Sequence, residues 1–134
     1  MKCSHRLAFI TCLMLCACSD LAVSPSEFDG TFHGTFTLRD AEGVSETGVV
    51  TFTFSGGTYR CTSEKRYLPP GGGGIFSVIG QMLILNDNMM HTAEFDWTLI
   101  LEGAFLYTYD GSHLLLTQDD LKYQRIRRID LTRQ

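Results

Sequence analysis

At 134 residues the chain is long enough for one domain and too short for two. Hydrophobic residues make up 44% and charged residues 19%, which excludes a disordered polymer. The formal net charge of −4 argues against a nucleic-acid partner, because phosphate backbones need a basic surface.

The N-terminus carries its own pattern. Lys2 and Arg6 precede an apolar stretch, Leu7 to Leu15, that is too short to span a bilayer permanently. It has the form of the core of a secretory signal peptide. The closing run Leu15-Cys16-Ala17-Cys18 resembles the bacterial lipobox: Leu15, Ala17 and Cys18 match, and Cys16 fills the permissive position. The resemblance implies transfer of diacylglycerol to the Cys18 sulfur, cleavage before Cys18, and acylation of the new amino group. Residues 1–17 are therefore expected to be a lipoprotein signal peptide, with Cys18 the lipidated residue. Two or three acyl chains, at about 0.8 kcal/mol per buried CH₂, anchor a protein to a membrane effectively for good. Ser19 after the anchor cysteine implies an outer-membrane address, with the periplasmic or surface face left open.

Other roles for these cysteines fit less well. A Cys16–Cys18 disulfide would close too tight a loop, and metal ligation lacks ligands at matched spacing. With the leader removed, Cys61 has no partner thiol and is expected to be a small packed residue. The mature chain keeps nine basic and fifteen acidic residues, a net charge of −6.

Residues 18–27 form the lipidated cysteine and a polar, proline-containing tether. From Phe28 to Gln134 the hydrophobic period is two, not 3.6. In "FDGTFHGTFTL", Phe28, Phe32, Phe36 and Leu38 share a face with Gly30 and Gly34, and Thr31, His33, Thr35 and Thr37 share the other. "VVTFTF" and "TYRCTSEKRY" alternate likewise across the hairpin turn Ser55-Gly56-Gly57. "LPPGGGGIF" (68–76) is expected to be a disordered hairpin loop leading into "IFSVI", which "MLILN" follows. "AEFDWTLIL" is expected to be a strand with Phe95, Trp97, Leu99 and Leu101 on its inward face. "AFLYTY" and "HLLLT" flank the hairpin turn Asp110-Gly111, and "KYQRIRRIDL" closes the chain as a polar strand with room for a bulge. Eight or nine short strands joined mostly by hairpins predict an all-β, antiparallel up-and-down barrel of about eight strands, with a β-sandwich as the alternative. Closure removes the edges an open sheet would expose.

Together, "FDGTFHGTFTL", "FDWTLILEGAFLYTYDG" and the lipobox before them resemble the small lipocalin-like (calycin-type) lipoproteins of Bacteroides-type bacteria. True lipocalins carry Gly-x-Trp on their first strand, where this chain has Gly30-Thr31-Phe32. The basic residue that lipocalins pack against that aromatic has no assignable counterpart in the sequence. The resemblance implies a barrel and an envelope address, but no reaction.

Chemistry-bearing patterns are sparse. The glycine run lacks the helix and the Lys-Ser/Thr of a phosphate loop. His33, His91 and His113 lie in separate segments without ligand spacing. Asp29, Glu94, Asp96 and Asp110 offer no acid–base pair in an apolar cleft, and "NDNMMH" lacks the sixth-position glycine and closing Glu of a calcium loop. Arg125, Arg127 and Arg128 are expected to balance nearby carboxylates. No cofactor, no metal and no enzymatic activity are expected. The aromatic inventory remains: Phe32, Phe52, Tyr59, Phe95, Trp97 and Tyr107 are the candidate ligand-binding residues of an apolar pocket inside the barrel. The expected function is a lipid-anchored envelope binding protein that holds a small apolar or amphipathic ligand. The alternative is a solid barrel that contacts a protein, as partner or inhibitor, through rim loops 68–74 and 86–92.

Overall fold

The structure, a computed structural model, describes residues 23–134. The signal peptide, Cys18 and Ser19 lie outside the described residues. A short 3₁₀ turn, Pro25–Phe28, precedes eight strands: β1 (Gly30–Arg39), β2 (Ser45–Ser55), β3 (Thr58–Ser63), β4 (Gly72–Ile79), β5 (Met82–Asp87), β6 (Gly103–Tyr109), β7 (His113–Asp120) and β8 (Arg125–Arg133). Every strand pairs antiparallel with its neighbours in sequence, and β1 also pairs with β8. The result is a closed up-and-down barrel, as the alternation predicts, and not a sandwich.

Period-two alternation explains the closure. Phe32, Phe36, Val50, Phe52, Phe54, Phe76, Leu83, Leu85, Phe105, Leu114, Leu116, Ile129 and Leu131 all point inward and are buried. The threonines between them on β1 and β2 face out. Gly34 occupies an inward position where β1 lies hard against β8: a Cβ there would collide with the Asp130 carbonyl. Such close backbone approach is what a glycine inside a strand permits.

The lower end holds the tight hairpin turns between β2 and β3, β4 and β5, and β6 and β7. The 3₁₀ turn folds beneath it and plugs the barrel with Phe28, which is 0% exposed. The upper end holds the two long connections, residues 64–71 and 88–102, together with the turns at 40–44 and 121–124. Leu68 and Leu101, one from each long connection, are buried and close the interior from above.

Two segments depart from expectation. The glycines at 72–74 are not in a disordered loop: they open β4 and pair with Cys61, Arg60 and Tyr59 of β3. The pairing is that tight because side chains on Gly73 and Gly74 would meet the backbone of Tyr59 and Asn86. Residues 93–101 are not a strand. Asp96 accepts hydrogen bonds from the Thr98 amide (2.9 Å) and hydroxyl (2.6 Å), which folds Trp97–Leu99 into a 3₁₀ turn. An aspartate bonding its own downstream backbone competes with strand formation, and here it wins.

Candidate ligand cleft at the upper end

The six aromatics predicted to share one pocket meet only in pairs, Phe52 on Tyr59 and Phe95 on Trp97, and line no common pocket. Phe32 and Phe52 are fully buried core, stacked or edge-on against Phe54. Tyr59 is also buried, and its hydroxyl donates to the Leu101 carbonyl at 3.2 Å. Burial raises its pKa well above the ordinary phenol range. Tyr107 lies near the lower end, edge-on to Phe28, with its hydroxyl on the Gly80 carbonyl. Phe95 and Trp97 belong to the 88–102 connection, and Trp97 is 54% exposed. Of the six, Trp97 alone lines the cleft described next.

That cleft, about 1100 Å³, opens at the upper end between the 88–102 connection, the β5–β6 pair and the β7–β8 turn. Its apolar wall includes Met89, Trp97, Ile100, Leu121 and Tyr123. Its polar floor comes from β7 and β8. Gln118 and Asp120 continue the inward face of Leu114 and Leu116, while Arg127 and Arg125 continue that of Leu131 and Ile129. Register places Gln118 opposite Arg127 and Asp120 opposite Arg125. Arg127 Nη1 donates to Gln118 Oε1 (2.8 Å), and its Nη2 donates to Asp120 Oδ2 (3.0 Å) and to the Thr98 carbonyl. Arg125 Nη2 donates to Thr98 Oγ1 (2.9 Å) and Asp120 Oδ2 (3.3 Å). Arg127 is 5% exposed, and desolvation lowers its pKa from the usual guanidinium value. The Nε–H groups of both arginines are buried without a hydrogen-bond partner among the described residues. One half-buried carboxylate, Asp120, thus serves the buried Arg127 and the half-buried Arg125.

The cleft's other wall is held by a second polar cluster. Asp87 accepts from the backbone amides of Gly73 and Met89, each at 3.1 Å, and pairs with His91 Nε2 at 2.7 Å. The His91 ring sits edge-on to Phe95 and Trp97. Tyr67 stacks on Phe95 (4.9 Å, 22°) and Phe95 on Trp97 (6.4 Å, 18°), forming a line of three rings across the two long connections.

Remaining residues singled out by sequence are dispersed. His33 is exposed on β1 beside Thr51. Glu94 pairs with Arg66 on the surface, Asp29 accepts from the Gly56 amide, and Asp110 holds the β6–β7 turn. Among the described residues no three histidines, cysteines or acids converge on a metal position. Cys61 is buried, and desolvation pushes its thiol up to about 12. Sequence reading missed the inward placement of Arg127, Asp120 and Gln118. The signal was present: stepping by two from Ile129 and from Leu116 assigns all three to the interior.

At the lower end the Arg133 guanidinium lies over the Phe32 ring, 4.7 Å from its centroid. It donates to the carbonyls of Asp29 (2.6 Å), Glu27 (2.8 Å) and Gly111 (3.1 Å) and to the Tyr109 hydroxyl (2.5 Å). Comparison with protein-family models, curated proteins and solved structures finds no match to this chain.

Proposed function

We propose that the protein is a non-enzymatic, lipid-anchored outer-membrane protein of the cell envelope that binds a small amphipathic ligand in its upper cleft. The observation that carries this reading is the polarity of the barrel. Its lower end is sealed by Phe28 and follows directly on the predicted tether, while both long connections and the 1100 Å³ cleft occupy the opposite end. Six residues lie between Cys18 and Pro25, a reach of at most about 25 Å. An anchor at Cys18 therefore holds the sealed end near the bilayer and turns the cleft away from it. Aromatic core packing from Phe28 to Phe76 moves the ligand from inside the barrel to its rim.

The Arg133–Phe32 pair supports the lipocalin-like reading. It stands at the first strand, where the resemblance calls for a basic residue against an aromatic. A second reading, protein contact through the rim, is favoured by one observation: Met90 and Leu121 are 99% and 85% exposed beside the cleft.

The test combines fatty-acid labelling in cells with native mass spectrometry of the protein released from its membranes. Labelling at Cys18 and a retained mass of a few hundred daltons are expected. An unlabelled chain removes the anchor. A bare polypeptide replaces ligand binding with the rim-contact reading.

A further inference from the structure

The lining of the upper cleft narrows the ligand class, an inference that rests on the binding function proposed above. Trp97 is a prepared surface: its Nε1–H is satisfied by the Thr92 carbonyl (3.0 Å), one face is backed by Phe95, and half of the residue remains open. Backing rings and a bonded indole nitrogen fix its orientation before any ligand arrives. Around it the cleft presents groups that only accept, Glu102, Asp119 and Asp120, groups that only donate, Arg127 and Lys122, and Gln118, which does both. Arg127 lines this cleft, is nine-tenths buried, and keeps an Nε–H without a partner.

Three ligand chemistries can be weighed against that lining. A wholly apolar ligand would cover these carboxylates without pairing them, a desolvation cost with no return. An anion would meet Glu102 and Asp119 at the rim, and one guanidinium already committed to Asp120 gives little in exchange. Gln118 already donates to the Glu102 and Ala104 carbonyls and accepts from Arg127, and Asp120 holds both arginines. The groups left for a ligand are the Glu102 and Asp119 carboxylates, the Lys122 ammonium and the Arg127 Nε–H, and a neutral saccharide suits that set. Its C–H face lies on an aromatic ring, and each hydroxyl both donates and accepts, matching carboxylates, ammonium and guanidinium alike. The cleft volume sits at the upper limit of small-molecule sites, enough for more than one sugar ring.

We infer that the upper cleft binds a neutral oligosaccharide, one ring stacked on Trp97 and its hydroxyls bonded to the polar floor around Gln118 and Arg127. The full-length acylated protein, purified in a polyoxyethylene detergent, is applied to an array of neutral oligosaccharides of glucose, mannose, galactose, xylose and N-acetylglucosamine beside sialylated and sulfated glycans. Trp97 is the chain's single tryptophan, so its emission reports the cleft directly. The expected result is binding of a neutral glycan with a shift of Trp97 emission to shorter wavelength. By calorimetry, Trp97→Ala weakens that binding by about tenfold or more, while Trp97→Phe largely restores it. The half-exposed position leaves the far-ultraviolet spectrum of Trp97→Ala unchanged, which separates lost binding from lost fold. Absence of any neutral glycan, binding of acidic glycans alone, or indifference to Trp97→Ala overturns the inference. A Trp97 response to palmitate without one to glycans overturns the saccharide and leaves ligand binding at the cleft standing. Silence toward both removes the two together.

Discussion

Arg133 joins three chain segments that are distant in sequence: the 3₁₀ turn, the β6–β7 hairpin and β1. Its donors reach three backbone carbonyls at the sealed end, of which those of Glu27 and Gly111 also accept from the Tyr109 hydroxyl, while its flat face covers Phe32. Hydrogen bonds from a charged donor are each worth about 1.5–3 kcal/mol when the partner is left stranded, though these are partly solvated. Arg133→Met keeps the stem and removes the donors, so a loss of about 2–3 kcal/mol in urea unfolding is expected. An unchanged midpoint would show that water replaces the clamp. Gly30 belongs to the same device: its φ is +141°, and a side chain there would strike the guanidinium. None of this was assignable from sequence, because the partners of Arg133 lie more than twenty positions away and are mostly main-chain oxygens. Arg127 differs. Its inward position follows from strand parity, and only the habit of placing charge outside hides it.

Strands and connections differ in how far local chemistry decides them. β1, β2, β5, β7 and β8 are legible because alternating side chains have one way to bury a face. The glycine run misleads because glycine signals a loop in isolation, yet here the missing side chains let β4 close on β3. The segment around Trp97 misleads because Asp96 offers the backbone a local partner that alternation does not count. That partner is also a pH handle. The Thr98 hydrogen bonds, side-chain then backbone, lower the Asp96 pKa, with smaller help from Arg125 and Arg127. A carboxyl depressed in the folded state stabilises the turn above its unfolded value of about 4 and loses that contribution as pH falls through the lower folded value. As the pH falls below about 4, Trp97 emission is therefore expected to shift before the far-ultraviolet signal of the barrel changes. Asp96→Asn retains an acceptor oxygen and removes the charge, so it should abolish the early shift. Coincident transitions in the parent chain would mean the turn and barrel melt as one.

Across the whole barrel the seams are unequal. β1 pairs along its full length with β2, and β7 along its full length with β8, whereas β3 meets β4 only from Thr58–Ile75 to Cys61–Gly72, as short a seam as β5–β6 and β6–β7. Three of the four β4 residues there are glycines, which contribute no cross-strand side-chain packing. Cooperative units of lower stability open before the global transition, and this seam has the features of one. Cys61 lies on it, inward and 2% exposed, with a thiol held protonated at neutral pH by its surroundings. On the processing proposed above, which removes the leader and acylates Cys18, it is also the one thiol left in the sequence. Alkylation of native protein should therefore add one label, slowly, at a rate nearly independent of urea below the unfolding transition. Opening that exposes little surface has a small denaturant slope, and global unfolding a large one. A rate that climbs from zero urea with the full equilibrium slope would show that the β3–β4 seam is as strong as the rest. Two labels would show an unacylated Cys18 and detach the barrel from its membrane.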